Sequence, residues 1–142
     1  MESKNYVPLI GRILLGVPFL MSGLGKLAAY GATVGYISAV GLPIPSLAYL
    51  VAVAIEVGGG LLLLSGFQVR FSSFVMAVFS LTTALFFHKN FGDQNQMIHF
   101  LKNVMIAGGL LQITYFGAGG LSLDARVVRL RSAQPALSAS RA

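Results

Sequence analysis

The chain contains no cysteine, and only 10% of its 142 residues are charged. The absence of cysteine excludes disulfides, thiolate nucleophiles and cysteine-ligated iron–sulfur clusters formed by this chain itself. The shortage of charge excludes an ordinary soluble domain, in which roughly 25% of the residues are charged. Because 56% of the residues are hydrophobic and the mean hydropathy is +0.79, polar groups cannot cover the surface, and we expect the chain to fold in a lipid bilayer.

Four apolar runs are long enough to cross a bilayer, for which about 20 mostly apolar residues are needed. They cover residues 7–29, 46–67, 70–88 and 97–117. Since they use most of the chain, we expect a single membrane domain over residues 1–142, an all-α integral-membrane four-helix bundle without a soluble catalytic module. Between the first two runs, Val34, Ile37 and Val40 stand at helical spacing before Gly41, which predicts a short interfacial helix.

The basic residues predict how the chain is oriented. The formal net charge is +6, but the positive side chains are scattered or stand next to the spans, so nucleic-acid binding is not expected. The first loop, residues 31–46, has no charge, whereas residues 118–142 form a basic tail with four arginines. Because short cytoplasmic segments carry an excess of Lys and Arg, we expect both termini to be cytoplasmic. The end of the tail, residues 132–142, consists largely of serine and other small residues and is predicted to be disordered.

One carboxylate stands alone inside the second span. In "YLVAVAIEVGGGLLLL", residues 49–64, Glu56 is the only charged residue. It lies ~15 Å into the membrane at 1.5 Å per residue, and the long side chains of Lys26 in the first span and Lys102 in the fourth can extend toward the same depth. A charge at the membrane centre costs about 2.5–3.5 kcal/mol, which indicates that such groups pair or act together. We therefore predict Glu56, Lys26 and Lys102 as a buried catalytic cluster.

Four other polar side chains are predicted to bind substrate. His99, Lys102 and Asn103 stand at i, i+3 and i+4 and thus on one face of the fourth span. Tyr49 lies on the stripe of the second span that carries the carboxylate, and His88 ends the third span. The candidates are His99, Asn103, Tyr49 and His88. Paired histidines can ligate haem, but nothing around these two supports it, so haem is not expected and no metal site is predicted.

Two further features are predicted to be structural. Because charges within a membrane tend to find each other, Arg12 and Asp124 are expected to form an ion pair that ties the cytoplasmic ends of spans one and four together. The glycine run at residues 58–60 predicts a close helix crossing, since small residues let membrane helices approach each other.

Several segments together resemble the DoxX family of small bacterial inner-membrane proteins. The segments are "GRILLGVPFLMSGLGKL", "VGLPIPS", "AIEVGGGLLLLSG", "HFLKNVMIAGGLLQ" and "GAGGLSLD", which cover about residues 8–124 in the family's order. The resemblance implies a four-helix bundle in the inner membrane. The family positions match Arg12, Lys26, Glu56, Lys102, Asn103 and Asp124. The family is named for a subunit linked to thiosulfate:quinone oxidation, and its members are often labelled oxidoreductase-like.

Three functions remain open at this stage. The first is a redox-linked membrane subunit that handles quinone, to which a partner or a bound cofactor brings the electrons. The second is a small carrier or a lipid- or anion-binding protein, because two lysines against one glutamate leave a spare positive charge. The third is a structural subunit of a membrane complex, in which the buried charges only fix helix packing. In each case we expect lipid contact and either a protein partner or a homo-oligomer.

Overall fold

The computed structural model describes residues 3–139, and this part of the chain is helical without strands. Its elements are α1 Ser3–Ala28, α2 Tyr30–Ala39, α3 Pro45–Val53, a π-helical turn Ala54–Gly58, α4 Gly59–Ser65, α5 Val69–Phe87, α6 Gln94–Phe116 and α7 Leu123–Ala139. Four stretches are long and apolar enough to cross a membrane, namely Tyr6–Ala28, Pro45–Ser65, Val69–Phe87 and Gln94–Phe116. The prediction of an all-α, four-span membrane bundle is therefore confirmed.

The outer faces of these helices are apolar. Large side chains such as Leu14, Leu50 and Met105 are exposed on the bundle surface, where a soluble protein would carry charge. Apolar side chains of this kind contact the acyl chains of lipids, so the bilayer surrounds the bundle.

The short helix α2 lies between the first two spans, at the place where the sequence predicts one. It ends at Ala39, and Gly41 follows with a φ of 87°, the left-handed conformation that glycine adopts at little cost. Pro45 then occupies the first turn of α3, where its missing N–H is tolerated. Tyr36 of α2 stacks on Phe87 at the end of α5, with ring centroids 5.4 Å apart, which attaches the short helix to the bundle.

Span two is not a continuous α-helix. Its central residues Ala54–Gly58 form a single π-helical turn between α3 and α4. Such turns carry one extra residue in the hydrogen-bonded ring, are rare, and occur frequently at functional sites. Glu56 is the middle residue of this turn, a placement that the apolar pattern of the sequence does not predict.

Glycines set the closest helix contacts. A Cβ at Gly60 would lie 3.1 Å from the Gly16 carbonyl oxygen and 3.1 Å from the Leu20 nitrogen, so α4 meets the backbone of α1 directly. A Cβ at Gly59 would lie 2.7 Å from Met76 Sδ on α5. The glycine run thus holds span two between α1 and α5, as a close crossing requires. The buried core around it includes Leu63, Met76 and Leu110.

The tail differs from its predicted state. Residues 123–139 form the helix α7, so the segment from residue 132 to Ala139 is helical where disorder was expected. The last three residues of the predicted tail lie outside the described residues. Left-handed Gly117 and Gly119, with φ of 85° and 78°, turn the chain between α6 and α7.

Candidate functional site

Lys26 and Glu56 form an ion pair inside the bundle. The ammonium nitrogen of Lys26 lies 2.8 Å from each carboxylate oxygen of Glu56. Only 7% of the Glu56 side chain is exposed, compared with 27% for Lys26. Lys26 stands in the last turn of α1, where a cation also interacts favourably with the helix dipole. The lone carboxylate of the second span therefore has its partner in the first.

Ser22 completes this cluster. Lys26 Nζ donates to Ser22 Oγ at 2.9 Å, and Ser22 Oγ donates to Glu56 Oε1 at 3.3 Å. The three groups form a closed triangle in which the ammonium has an acceptor for each of its protons, and the net charge is zero. Ser22 is not among the predicted site residues, although its position one turn before Lys26 places both on the same face of α1.

A cavity of about 290 Å³ opens on one side of the pair, between α1, α5 and α6. Its walls are mostly apolar, with Phe19 and Phe79 among them, and its polar positions include Ser22, Ser80 and Asn103. Ser80 is 1% exposed, and its hydroxyl has no hydrogen-bond partner within residues 3–139. A buried hydroxyl without a partner is costly, so this first cavity has an unused donor and acceptor at its edge.

A second cavity, of about 370 Å³, lies on the other side of the pair, beneath α2. It is bordered by Tyr36 and Ile37 of α2, by several side chains of α5, and by His88. Lys26, Glu56, Phe79 and Thr83 line both cavities. The ion pair therefore forms part of the boundary between two internal spaces.

Lys102 does not join the cluster, contrary to the sequence prediction. It is exposed on α6 and lines neither cavity. No hydrogen bond or ion pair of its side chain is found in the described part of the chain. The next residue, Asn103, borders the first cavity instead and donates from Nδ2 to the His99 carbonyl at 2.9 Å. The inward side of α6 thus includes Asn103, Ile106 and Leu110 of the predicted face, and only its edge with Lys102 is turned outward.

The other predicted substrate-binding residues divide into two groups. Asn103 and His88 border cavities, whereas Tyr49 and His99 do not. The Tyr49 hydroxyl donates to the Lys26 carbonyl at 3.3 Å and its ring meets Tyr30 edge-on, so it positions the end of α1. A role of any of the four in binding substrate stays a prediction.

The two histidines stack on each other. The rings of His88 and His99 are 5.1 Å apart between centroids and 26° from parallel, and His88 Nδ1 lies 3.0 Å from Gln96 Oε1. Rings that face each other do not point at a shared centre, so the pair is not arranged as two axial ligands of a haem. Within residues 3–139 no three His, Asp or Glu side chains gather into a group that could hold a metal ion.

Arg12 and Asp124 do not form the predicted direct ion pair, since Lys26–Glu56 is the ion pair found within residues 3–139. Arg12 is 1% exposed and donates to the carbonyls of Leu63, Leu64 and Leu121. Asp124 accepts from the backbone N–H groups of Gln68 at 2.8 Å and Val69 at 3.0 Å.

Both charged side chains thus bind backbone groups at helix ends, which have no hydrogen-bond partner within the helix. The carbonyls bound by Arg12 belong to the end of α4 and to the loop before α7, and the N–H groups bound by Asp124 begin α5. Together the two residues connect spans one, two and three with the tail on one side of the bundle. The predicted pair does not form because unpaired backbone groups compete with opposite charges for such side chains.

Comparison with known proteins gives the same assignment as the motifs. The DoxX family profile matches residues 7–89. The inner membrane protein YqjF of Escherichia coli K12 is 37% identical over 116 residues, which are 82% of this chain and 88% of the relative. The inner membrane protein YphA of the same organism is 37% identical over 123 residues, covering 83% of this chain and 88% of the relative. No solved structure matches the chain. On the family match and on these two relatives, the chain belongs to the DoxX family.

Proposed function

We propose that the protein is an inner-membrane subunit that binds a quinone from the bilayer beside the Lys26–Glu56 pair and handles the protons of its reduction. One observation carries the proposal: a buried ion pair borders two cavities, and the first of them also carries the unpartnered hydroxyl of Ser80. Ligand sites in proteins are concave, mainly apolar and supplied with a few polar groups. The first cavity has each of these properties.

The chemistry of the first cavity suits a neutral, ring-shaped ligand. Aromatic and aliphatic side chains line most of it, and the Ser80 hydroxyl and the Asn103 amide supply polar contacts for a quinone carbonyl. Leu14, which is 68% exposed, also borders this cavity, so the space reaches the lipid-facing surface. A quinone dissolved in the bilayer would therefore enter sideways, without crossing water.

The position of Lys102 weighs against an anion carrier. With Lys102 outside the cluster, one lysine faces one glutamate, so among the described residues these two cavities have no spare positive charge to attract an anion. A neutral ligand is favoured beside a neutral pair, because an unpaired charge in low dielectric is costly.

In the proposed reaction the ion pair serves as the proton store. Reduction of a quinone to a quinol takes up two electrons and two protons, and the electrons come from a partner redox protein. The Lys26–Glu56 pair passes one proton to each of the two carbonyl oxygens in turn, and it takes up a proton from water after each transfer. Protons return through the second cavity, which His88 borders at the far end of α5. With both termini cytoplasmic, this end of the bundle faces the periplasm.

A binding measurement tests the proposal. Purified protein in lipid nanodiscs is titrated with a short-chain quinone, and mass analysis quantifies the quinone that copurifies. Ser80→Ala removes one ligand hydrogen bond and is expected to weaken binding about fivefold to tenfold. Ser73→Ala is the matched control, since Ser73 is also buried and unpartnered on α5 but borders neither cavity. Equal binding by the two variants, or no quinone bound by wild type, would contradict the site.

A further inference from the structure

The opposite end of the bundle carries a groove lined by arginines. Arg70 at the start of α5 and Arg129 and Arg131 of α7 border a space of about 620 Å³ between α7 and the ends of α5 and α6. Asp124 is the acidic side chain in its lining, and its two oxygens are engaged by the backbone N–H groups that begin α5. The three guanidinium groups thus have no carboxylate partner within residues 3–139.

The arginines have little other hydrogen bonding. Arg129 Nη2 makes one long bond, at 3.4 Å, to the Gly120 carbonyl. Arg70 lies over the turn after α6, where a Cβ on Gly117 would be 3.3 Å from its Nε atom. A side chain at residue 117 would therefore crowd this guanidinium, whereas glycine leaves it free to face the groove. The lining has three positive charges against one negative charge, and an anion would neutralise this excess.

The groove lies at the level where the spans end. Arg70 is the second residue of α5 and Phe116 is the last of α6, and both helices are membrane spans. Phe116 and Val128 also border the groove and are 72% and 62% exposed. A second groove, of about 580 Å³, continues from Arg70 along the lipid-facing side of α6, past Leu111 and Tyr115. The charge at the membrane boundary is thus continuous with a shallow groove of mainly aromatic and aliphatic side chains along α6.

We propose that this region binds an anionic phospholipid, with its phosphodiester between Arg70, Arg129 and Arg131 and one acyl chain along α6. A guanidinium pairs with phosphate oxygens through two parallel hydrogen bonds, which a single ammonium cannot do. Basic clusters beside membrane spans attract anionic lipid headgroups. A free phosphate would satisfy the arginines but would leave the apolar groove beside them empty, so a lipid is the better match.

The site is independent of the quinone proposal, since it lies at the other end of the bundle and shares no residue with the two cavities. A lipid held there would join α5, α6 and α7 at the membrane boundary. It would also hold the tail helix α7 against the bundle, where six of its residues already border the groove.

Lipid exchange on the full-length protein tests this site. Protein in mild detergent is incubated with equal amounts of phosphatidylglycerol and phosphatidylcholine, repurified, and its bound lipids are quantified by mass spectrometry. Wild type is expected to be enriched in phosphatidylglycerol, and Arg70→Gln and Arg129→Gln are each expected to lower the enrichment about fivefold. Arg126→Gln is the control, because Arg126 is an exposed arginine of the same helix that lies outside the groove.

Two results would overturn the proposal. One is an equal loss of enrichment in Arg126→Gln, which would indicate a general surface charge effect. The other is stabilisation of the protein against heat by millimolar inorganic phosphate to the same extent as by phosphatidylglycerol, which would indicate an anion site without a lipid. Arg70→Lys is the control for misfolding, since it keeps the positive charge but loses the bidentate geometry. It is expected to show an enrichment between those of wild type and Arg70→Gln, and enrichment equal to wild type counts against phosphate recognition by Arg70.

Discussion

Gly23 lies against the turn that carries Glu56. A Cβ added at Gly23 would be 3.0 Å from the Glu56 Cβ and 2.6 Å from Val57 Cγ2. The separation between α1 and the π-helical turn therefore depends on the absence of a side chain at residue 23. Because Lys26 follows within one turn on the same helix, this close approach also sets the distance across the ion pair.

Gly23→Ala is expected to push α1 away from the π-helical turn. The added methyl group meets Val57 at less than a permitted contact distance, and overpacking of this kind costs about 1–3 kcal/mol. Thermal unfolding in detergent measures the change. Gly25→Ala is the matched control, since nothing lies within 4 Å of a Cβ there, and alanine favours a helix over glycine by up to ~1 kcal/mol. A Gly23→Ala protein that melts like the Gly25→Ala protein would show that the contact relaxes freely.

A double-mutant cycle on Lys26→Met and Glu56→Gln measures the ion pair. Each single change leaves a partner unpaired and is expected to lower the free energy of unfolding by about 3 kcal/mol, the lower end for buried pairs. The lower end applies because the Lys26 side chain is 27% exposed. The double variant removes both charges and is expected to be more stable than the sum of the two single changes predicts, by at least about 1 kcal/mol. Additive losses would mean that the two groups act separately.

Arg12→Met is expected to destabilise the protein more than Asp124→Asn. The first change leaves the carbonyls of Leu63, Leu64 and Leu121 without their donor, at about 1–3 kcal/mol for each unsatisfied group. The second retains an oxygen that can accept at the start of α5, and the loss of a helix cap costs about 0.5–2 kcal/mol at most. Chemical denaturation of both variants gives the comparison. Equal losses would favour the direct ion pair that the sequence predicts.

Fusion of a reporter that is active only in the periplasm tests the predicted orientation. Fused after residue 142, it is expected to be inactive, because the basic tail favours the cytoplasmic side. Fused after residue 92, in the loop between α5 and α6, it is expected to be active. The opposite result at both positions would invert the membrane orientation and place the Lys26–Glu56 pair toward the cytoplasm.

The spans and the Lys26–Glu56 contact follow from simple physical rules. Long apolar runs have no stable alternative to helices in lipid, and a carboxylate at mid-membrane depth requires a cation on a neighbouring helix. The rotation of each helix about its own axis does not follow from these rules. Neighbouring residues differ by 100° around a helix, so Asn103 lies at the first cavity while Lys102, one residue before it, faces outward.

A sequence pattern also does not show which backbone carbonyl and N–H groups will lack a partner. Arg12 and Asp124 looked like partners because each is a charge near the same end of the bundle. The carbonyls at the end of α4 and the N–H groups at the start of α5 bind them instead, and these appear only once the helix ends are placed. For the same reason Ser22 and Ser80, which are ordinary small residues in a span, gave no signal of their positions at the ion pair and at the first cavity.

The π-helical turn divides the second span into two parts that are held by different contacts. On one side, α4 packs directly against the backbone of α1 at Gly60. On the other, α3 is held by aromatic contact between Tyr49 and Tyr30. Turns of this kind are sites at which helices change direction. Glu56 lies in this turn, so its ion pair with Lys26 holds the second span where its helix geometry changes, between the part packed on α1 and the part that forms a cavity wall.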